Sequence, residues 1–99
     1  MTQVTFQQDG KTLTALLSGE IDHHWAAVLR EKIDERVRAA SPAILILDFS
    51  AVTFMDSSGV GLILGRHRLV SSLGGIVVVQ KAPPGIKRTL AVAGIESKD

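Results

Sequence analysis

The sequence predicts a mixed α/β fold in which an antiparallel hairpin leads into parallel strands joined by crossover helices. Three observations carry this. Asp9-Gly10 stands between two strand-like segments, the pattern of a two-residue hairpin turn. Two unbroken apolar runs, Ala43–Leu47 and Ile76–Val79, are bounded by turn or polar residues, as strands covered on both faces would be. After the hairpin and after each run comes a segment with apolar residues at spacings of three and four. The implied order is ββαβαβα, a mixed sheet of about four strands with about three helices.

Each element has its own warrant. Val4–Gln8 and Lys11–Ser18 flank the turn, and Leu13, Ala15 and Leu17 alternate with Thr12, Thr14 and Leu16. Gly19-Glu20-Ile21 breaks the pattern, and the Asp22 carboxylate can cap a helix. That helix carries Ala26, Leu29, Ile33, Val37 and Ala40 on one stripe and ends at Ser41-Pro42. A second helix is predicted from about Ser57 to Ser72, stopping at Gly74-Gly75. Pro83-Pro84 opens a short third helix through Ile86, Leu90 and Ala93.

Composition narrows the function. The chain has 99 residues, read as one domain over 1–99. Eleven basic residues against ten acidic give a net charge of +1, which leaves no electrostatic footprint for direct nucleic-acid binding. The absence of cysteine excludes disulfides, zinc-thiolate sites and a cysteine nucleophile. No run approaches the ~18 apolar residues of a membrane span, and Met1–Phe6 has no signal-peptide character. The expectation is a cytoplasmic protein without membrane attachment or cofactor.

The second helix has two apolar stripes where a helix packed on a sheet needs one. Val60, Ile63, Leu64, His67 and Val70 form the broader stripe and are assigned to the core. Ser58, Leu62, Gly65 and Leu69 form the other. If this second stripe is exposed, Leu62 and Leu69, with Gly61 and Gly65 keeping the surface low, make a flat docking strip. The alternative is that both stripes are buried. Ser58 heads the strip, whereas Ser57 falls nearer the core side, in line with Leu64. A phosphate on Ser58 would add up to about two negative charges where the first turn of a helix tolerates them. Chemistry alone also allows a simpler account, in which Asp56-Ser57-Ser58 only caps the helix.

Asp48 to Arg66, which contains Met55-Asp56-Ser57-Ser58-Gly59, resembles the core motif of bacterial anti-sigma factor antagonists, a group of STAS-domain proteins. Gly19–His24 and Lys87–Ile95 resemble further segments of the sporulation members. The resemblance implies a regulatory phosphoprotein of transcription that works by partner switching. Unmodified, it would bind an anti-sigma factor serine kinase of the GHKL type and free the sigma factor. Phosphorylation of the second serine, which matches Ser58, would end binding, and a PP2C-type phosphatase would reset it. Asp22 matches an acidic residue near the phosphorylation site. Asp56, Ser57 and Gly59 would shape that site, beside Gly61, Leu62, Gly65 and Leu69. The family continues past Ile95 into a last strand and helix, which this chain reads as lacking. Uncovered apolar surface could then be met by a homodimer or strand exchange.

Other constellations are weaker. Gly59–Gly65 imitates a dinucleotide loop but has Leu64 where the third small residue belongs and lies inside a helix. His23 and His24 are adjacent and diverge, so they cannot chelate as an i, i+4 pair would. His67 is expected to pack in the core with a hydrogen bond, too far from Ser58 for a Ser58–His67–Asp22 triad. Trp25 reads as a core-rim residue or a partner anchor. Besides an anti-sigma factor antagonist, two readings stay open: a STAS domain of a stress-signalling scaffold or transporter, and a small nucleotide-binding protein.

Overall fold

A computed structural model describes residues 1–99. Five strands form one sheet in the order β1-β2-β3-β4-β5. Strand β1 (Gln3–Asp9) is antiparallel to β2 (Thr12–Ile21), across the turn expected at Asp9-Gly10. Strands β3 (Ile44–Met55), β4 (Ile76–Gln80) and β5 (Ser97–Lys98) follow in parallel. The helices are α1 (His23–Ala40), α2 (Ser57–Ser72) and α3 (Pro84–Val92).

The strand count is therefore one higher than the sequence suggested. Ser97 and Lys98 pair with Val79 and Gln80, so the last strand, read as missing, is present as two residues, too short to leave a pattern. Strand β3 also runs past Asp48 as far as Met55. It can do so because β2 continues through Gly19-Glu20-Ile21 and pairs with Ala51–Met55 across two register shifts. Gly19 enables this at φ +87°, where a Cβ would collide with the Met1–Thr2 backbone.

Register fixes which face each strand buries. Leu13 and Ala15 on β2 align with Leu45 and Leu47 on β3, and these, with Leu17, face a core completed by Leu29, Ile33 and Val37 of α1. Ile63 and Val70 of α2 and Ile86 and Leu90 of α3 join the same cluster. Each fully buried leucine there contributes roughly 1.5–3 kcal/mol over an exposed one. The opposite face, with Thr14, Ile46 and Val78 in register, is only half-buried. The apolar runs therefore do not mark strands covered on both sides; Ile76 is 55% exposed.

Candidate functional site: a groove between two Asp-capped helices

Both α1 and α2 start at the carboxyl ends of neighbouring parallel strands and are capped alike. Asp22 Oδ1 accepts the Trp25 N–H at 2.9 Å, and Asp56 Oδ1 accepts the Ser58 N–H at 2.8 Å. The two starts are linked through the Asp56 N–H, which donates to the Ile21 carbonyl at 3.2 Å. Asp56 is thus the cap of α2, and the Ser58 hydroxyl is not needed for that task. Ser57 is exposed and Ser58 half-buried, so Ser57 does not turn toward the core as its phase suggested.

Ser58 opens a groove of about 370 Å³ between the two helices. On the α2 side it is lined by Gly61, Leu62, Gly65, Arg66 and Arg68, and on the α1 side by His23, Ala26, Ala27 and Arg30. Leu62, expected on an exposed strip, is 4% exposed and belongs to the core cluster. Leu69 is half-buried against that cluster. The assignment of the broader stripe fails at two positions: Leu64 is 47% exposed, and His67 is exposed rather than packed. The physical reason is α1. It lies beside α2 and buries the Leu62 line, so the helix turns Leu64 and His67 outward, toward β4 and the Gly94–Glu96 segment. His67 and Ser58 therefore line different grooves.

The three glycines of α2 divide by environment. Gly59 is buried, and a Cβ there would run into the Met55 side chain. Gly61 and Gly65 are different, since a Cβ at either meets nothing within 4 Å. These glycines sit within a helix, where each costs about 1 kcal/mol relative to alanine, and no internal contact requires them. What they keep clear is the groove floor. They also lie inside α2 rather than in a loop, so the run has no dinucleotide-binding geometry.

Below Ser58 the groove passes to a charged section. Arg66, 6% exposed, places Nε at 2.7 Å from Asp34 Oδ1 of α1. The N–H is not aimed along this contact, which holds as an ion pair; Nη1 donates to the Leu62 carbonyl at 3.2 Å. Burial lowers the Arg66 pKa, Asp34 raises it, and Arg30 and Arg38 lower it further; the guanidinium stays charged at neutral pH. Sequence reasoning missed this pair and the cations around it. The signal available was spacing: Leu62 and Arg66 are i and i+4, and Gly61, Gly65 and Arg68 are i, i+4 and i+7.

Asp48 forms a second polar cluster. Its Oδ1 accepts the Ser50 N–H at 2.9 Å and the Ser50 hydroxyl at 2.6 Å, and Oδ2 accepts from Gln80 Nε2 at 3.0 Å. Burial raises the Asp48 pKa, but the Ser50 and Gln80 bonds and the Lys81 charge outweigh it and hold the group below its ordinary 3.8. The Gln80 bond ties β3 to β4, the Ser50 bonds stay within β3, and none involves a residue of the groove. No group of three or more His, Asp or Glu side chains is placed to hold a metal ion. No helix is long and apolar enough to cross a membrane.

Residues 3–98 match the STAS domain family. The chain belongs to the STAS-domain family. Among STAS relatives, an anti-sigma F factor antagonist of Paenibacillus polymyxa is 34% identical over 93 residues, 94% of this chain and 80% of that one. An anti-sigma-B factor antagonist of Bacillus subtilis is 29% identical, over 94% of this chain and 84% of the relative. The anti-sigma factor antagonist SpoIIAA in its unphosphorylated form superposes with a TM-score of 0.83 at 28% identity, covering 100% of this chain and 89% of that one. The Bacillus cell fate determinant SpoIIAA in its phosphorylated form gives 0.75, also at 28% identity, covering 100% and 92%.

Proposed function

We propose that this STAS domain is an anti-sigma factor antagonist, a regulatory binding module controlled by phosphorylation of Ser58. The observation that carries the reading is the Ser58 hydroxyl, free of the capping task, at the head of a groove whose floor is held open by Gly61 and Gly65. Relatives named anti-sigma factor antagonists and a neighbouring fold known in unphosphorylated and phosphorylated forms support it.

In this mechanism the unmodified chain docks an anti-sigma factor that is itself a GHKL-type serine kinase, and the sigma factor is released. The kinase transfers the γ-phosphoryl group of ATP to Ser58 Oγ, the hydroxyl proton leaves, and ADP departs. The phosphate sits at the first turn of α2, where the positive end of the helix dipole tolerates it, and projects into the docking groove. Contact with the partner is lost. A PP2C-type phosphatase hydrolyses the ester and restores the binding form. Asp22 and Asp56 act by fixing the two helix starts around Ser58. The domain is a substrate in this cycle and performs no chemistry of its own.

The test is the affinity of the cognate anti-sigma factor kinase for Ser58→Ala and Ser58→Asp. The alanine variant is expected to stay bound in the presence of ATP, and the aspartate variant to bind at least about tenfold more weakly. Equal affinity of the two would sink the mechanism. Mass spectrometry after incubation with ATP and the kinase is expected to place the phosphate on Ser58; a phosphate on Ser57 would move the switch out of the groove.

A further inference from the structure

Resting on that reading, we infer that α1 supplies the second wall of the docking surface and that the partner presents a short acidic helical segment to Arg30 and Arg68. Both arginines are exposed, and neither takes part in an ion pair. They stand on opposite walls of the Ser58 groove, whose 10 lining residues include three arginines and a histidine and no carboxylate. Arg66 is already committed to Asp34, which leaves Arg30 and Arg68 as the cations open to an incoming group. Guanidinium forks match carboxylates in bidentate geometry and lose little hydration in doing so.

The rest of the groove selects the form of the anion. Its upper part is floored by small residues, Ala26, Ala27, Gly61 and Gly65, which admit the backbone of a helix. Its lower continuation interleaves Glu31, Asp34 and Glu35 with Arg30, Arg38 and Arg66, so the charges there balance. A nucleic-acid backbone following the groove would run from Arg30 and Arg68 into a section whose three carboxylates offset its arginines, and the chain's net charge of +1 adds no further attraction. A few carboxylates on one turn of a protein helix meet the cations and stop short of the carboxylates of that mixed stretch.

This gives phosphorylation a second consequence in the same direction. A dianion on Ser58 lies in the groove that attracts the partner's carboxylates, so it both competes for the cations and repels the incoming acids. Release then depends on charge as well as on bulk.

The experiment measures binding of the cognate kinase to the full chain carrying Arg30→Glu with Arg68→Glu, and to Arg30→Lys with Arg68→Lys, at about 0.05 and about 0.5 M salt. Thermal melts confirm that each variant is folded. The charge-reversed chain is expected to bind at least about tenfold more weakly at low salt and to lose most of the wild-type salt dependence, while the lysine chain, which keeps the charges without the forks, retains the salt dependence and binds with an affinity between the two. If Ser58→Asp weakens binding and the charge-reversed chain does not, the acidic-segment inference falls and the switch stands. If the wild-type chain fails to bind the kinase, both fall. A single-stranded RNA oligonucleotide that binds the wild-type chain more tightly than the kinase does, and is lost on charge reversal, would assign the groove to a polyanion and overturn the inference.

Discussion

Helices α1 and α2 start in the same way and serve different ends. Each follows a parallel strand and is capped by an aspartate two residues or three residues before the N–H it binds. Beyond the cap they part. Over 18 residues α1 buries one clean stripe, Leu29, Ile33 and Val37, and leaves its charged residues other than Asp34 to solvent. Over 16 residues α2 buries Gly59, Leu62, Ile63, Arg66 and Val70, a wider and more polar set, and has three glycines in its first three turns. The first helix is built for stability. The second gives up helix propensity along the line that faces the groove, which follows if that line is meant for something outside the fold.

The largest effect that sharpens this contrast is expected at the ion pair between the helices. The side chains of Arg66 and Asp34 are 7% and 16% exposed, so Asp34→Ala leaves a nearly buried guanidinium uncompensated and should cost about 2 kcal/mol in urea denaturation. A neutral result would mean that apolar contacts alone join the helices. Next come the caps. Asp22→Ala and Asp56→Ala should each cost about 1 kcal/mol, yet Asp56→Ala should slow phosphoryl transfer much more than Asp22→Ala, because it frees the Ser58 N–H and loosens the acceptor turn. Equal slowing by both would break the distinction between the helices. The smallest effect has the opposite sign. Gly61→Ala and Gly65→Ala should each stabilise the fold by about 0.5–1 kcal/mol while weakening partner binding, measured on the same preparations. If stability rises and binding is untouched, the open floor has no docking role.

Much of the fold could be read from residues alone. Asp9-Gly10, Asp22, Asp56 and the α1 stripe act locally, within one turn or one helix, and local rules located them. The misses came where distant partners decide. Strand β3 looked finished at Leu47, because the apolar run stops at Asp48; the strand continues since β2 is there to pair with it. The phase of α2 could not be settled from the helix by itself. Its two apolar lines were visible, but only the position of α1 shows that Leu62 goes in and Leu64 and His67 come out. Arg66 was hidden for the same reason, since a buried arginine is intelligible only beside Asp34. Ser58 was singled out by sequence, whereas the arginines around it needed the second wall to become a site.

Strand β5 pairs with β4 only at Val79 and Gln80, so the outer backbone edge of Ile76–Val78 has no strand beside it. That makes the sheet uneven in lifetime as well as in coverage. Amide deuterium exchange should be slowest where β2 and β3 run together and should quicken toward β4, whose first residues separate without disturbing the centre. Ile76-Val77-Val78-Val79 is also a β-branched stretch of the kind that accepts another strand, and at high protein concentration the first self-association should begin at this margin, away from the Ser58 groove.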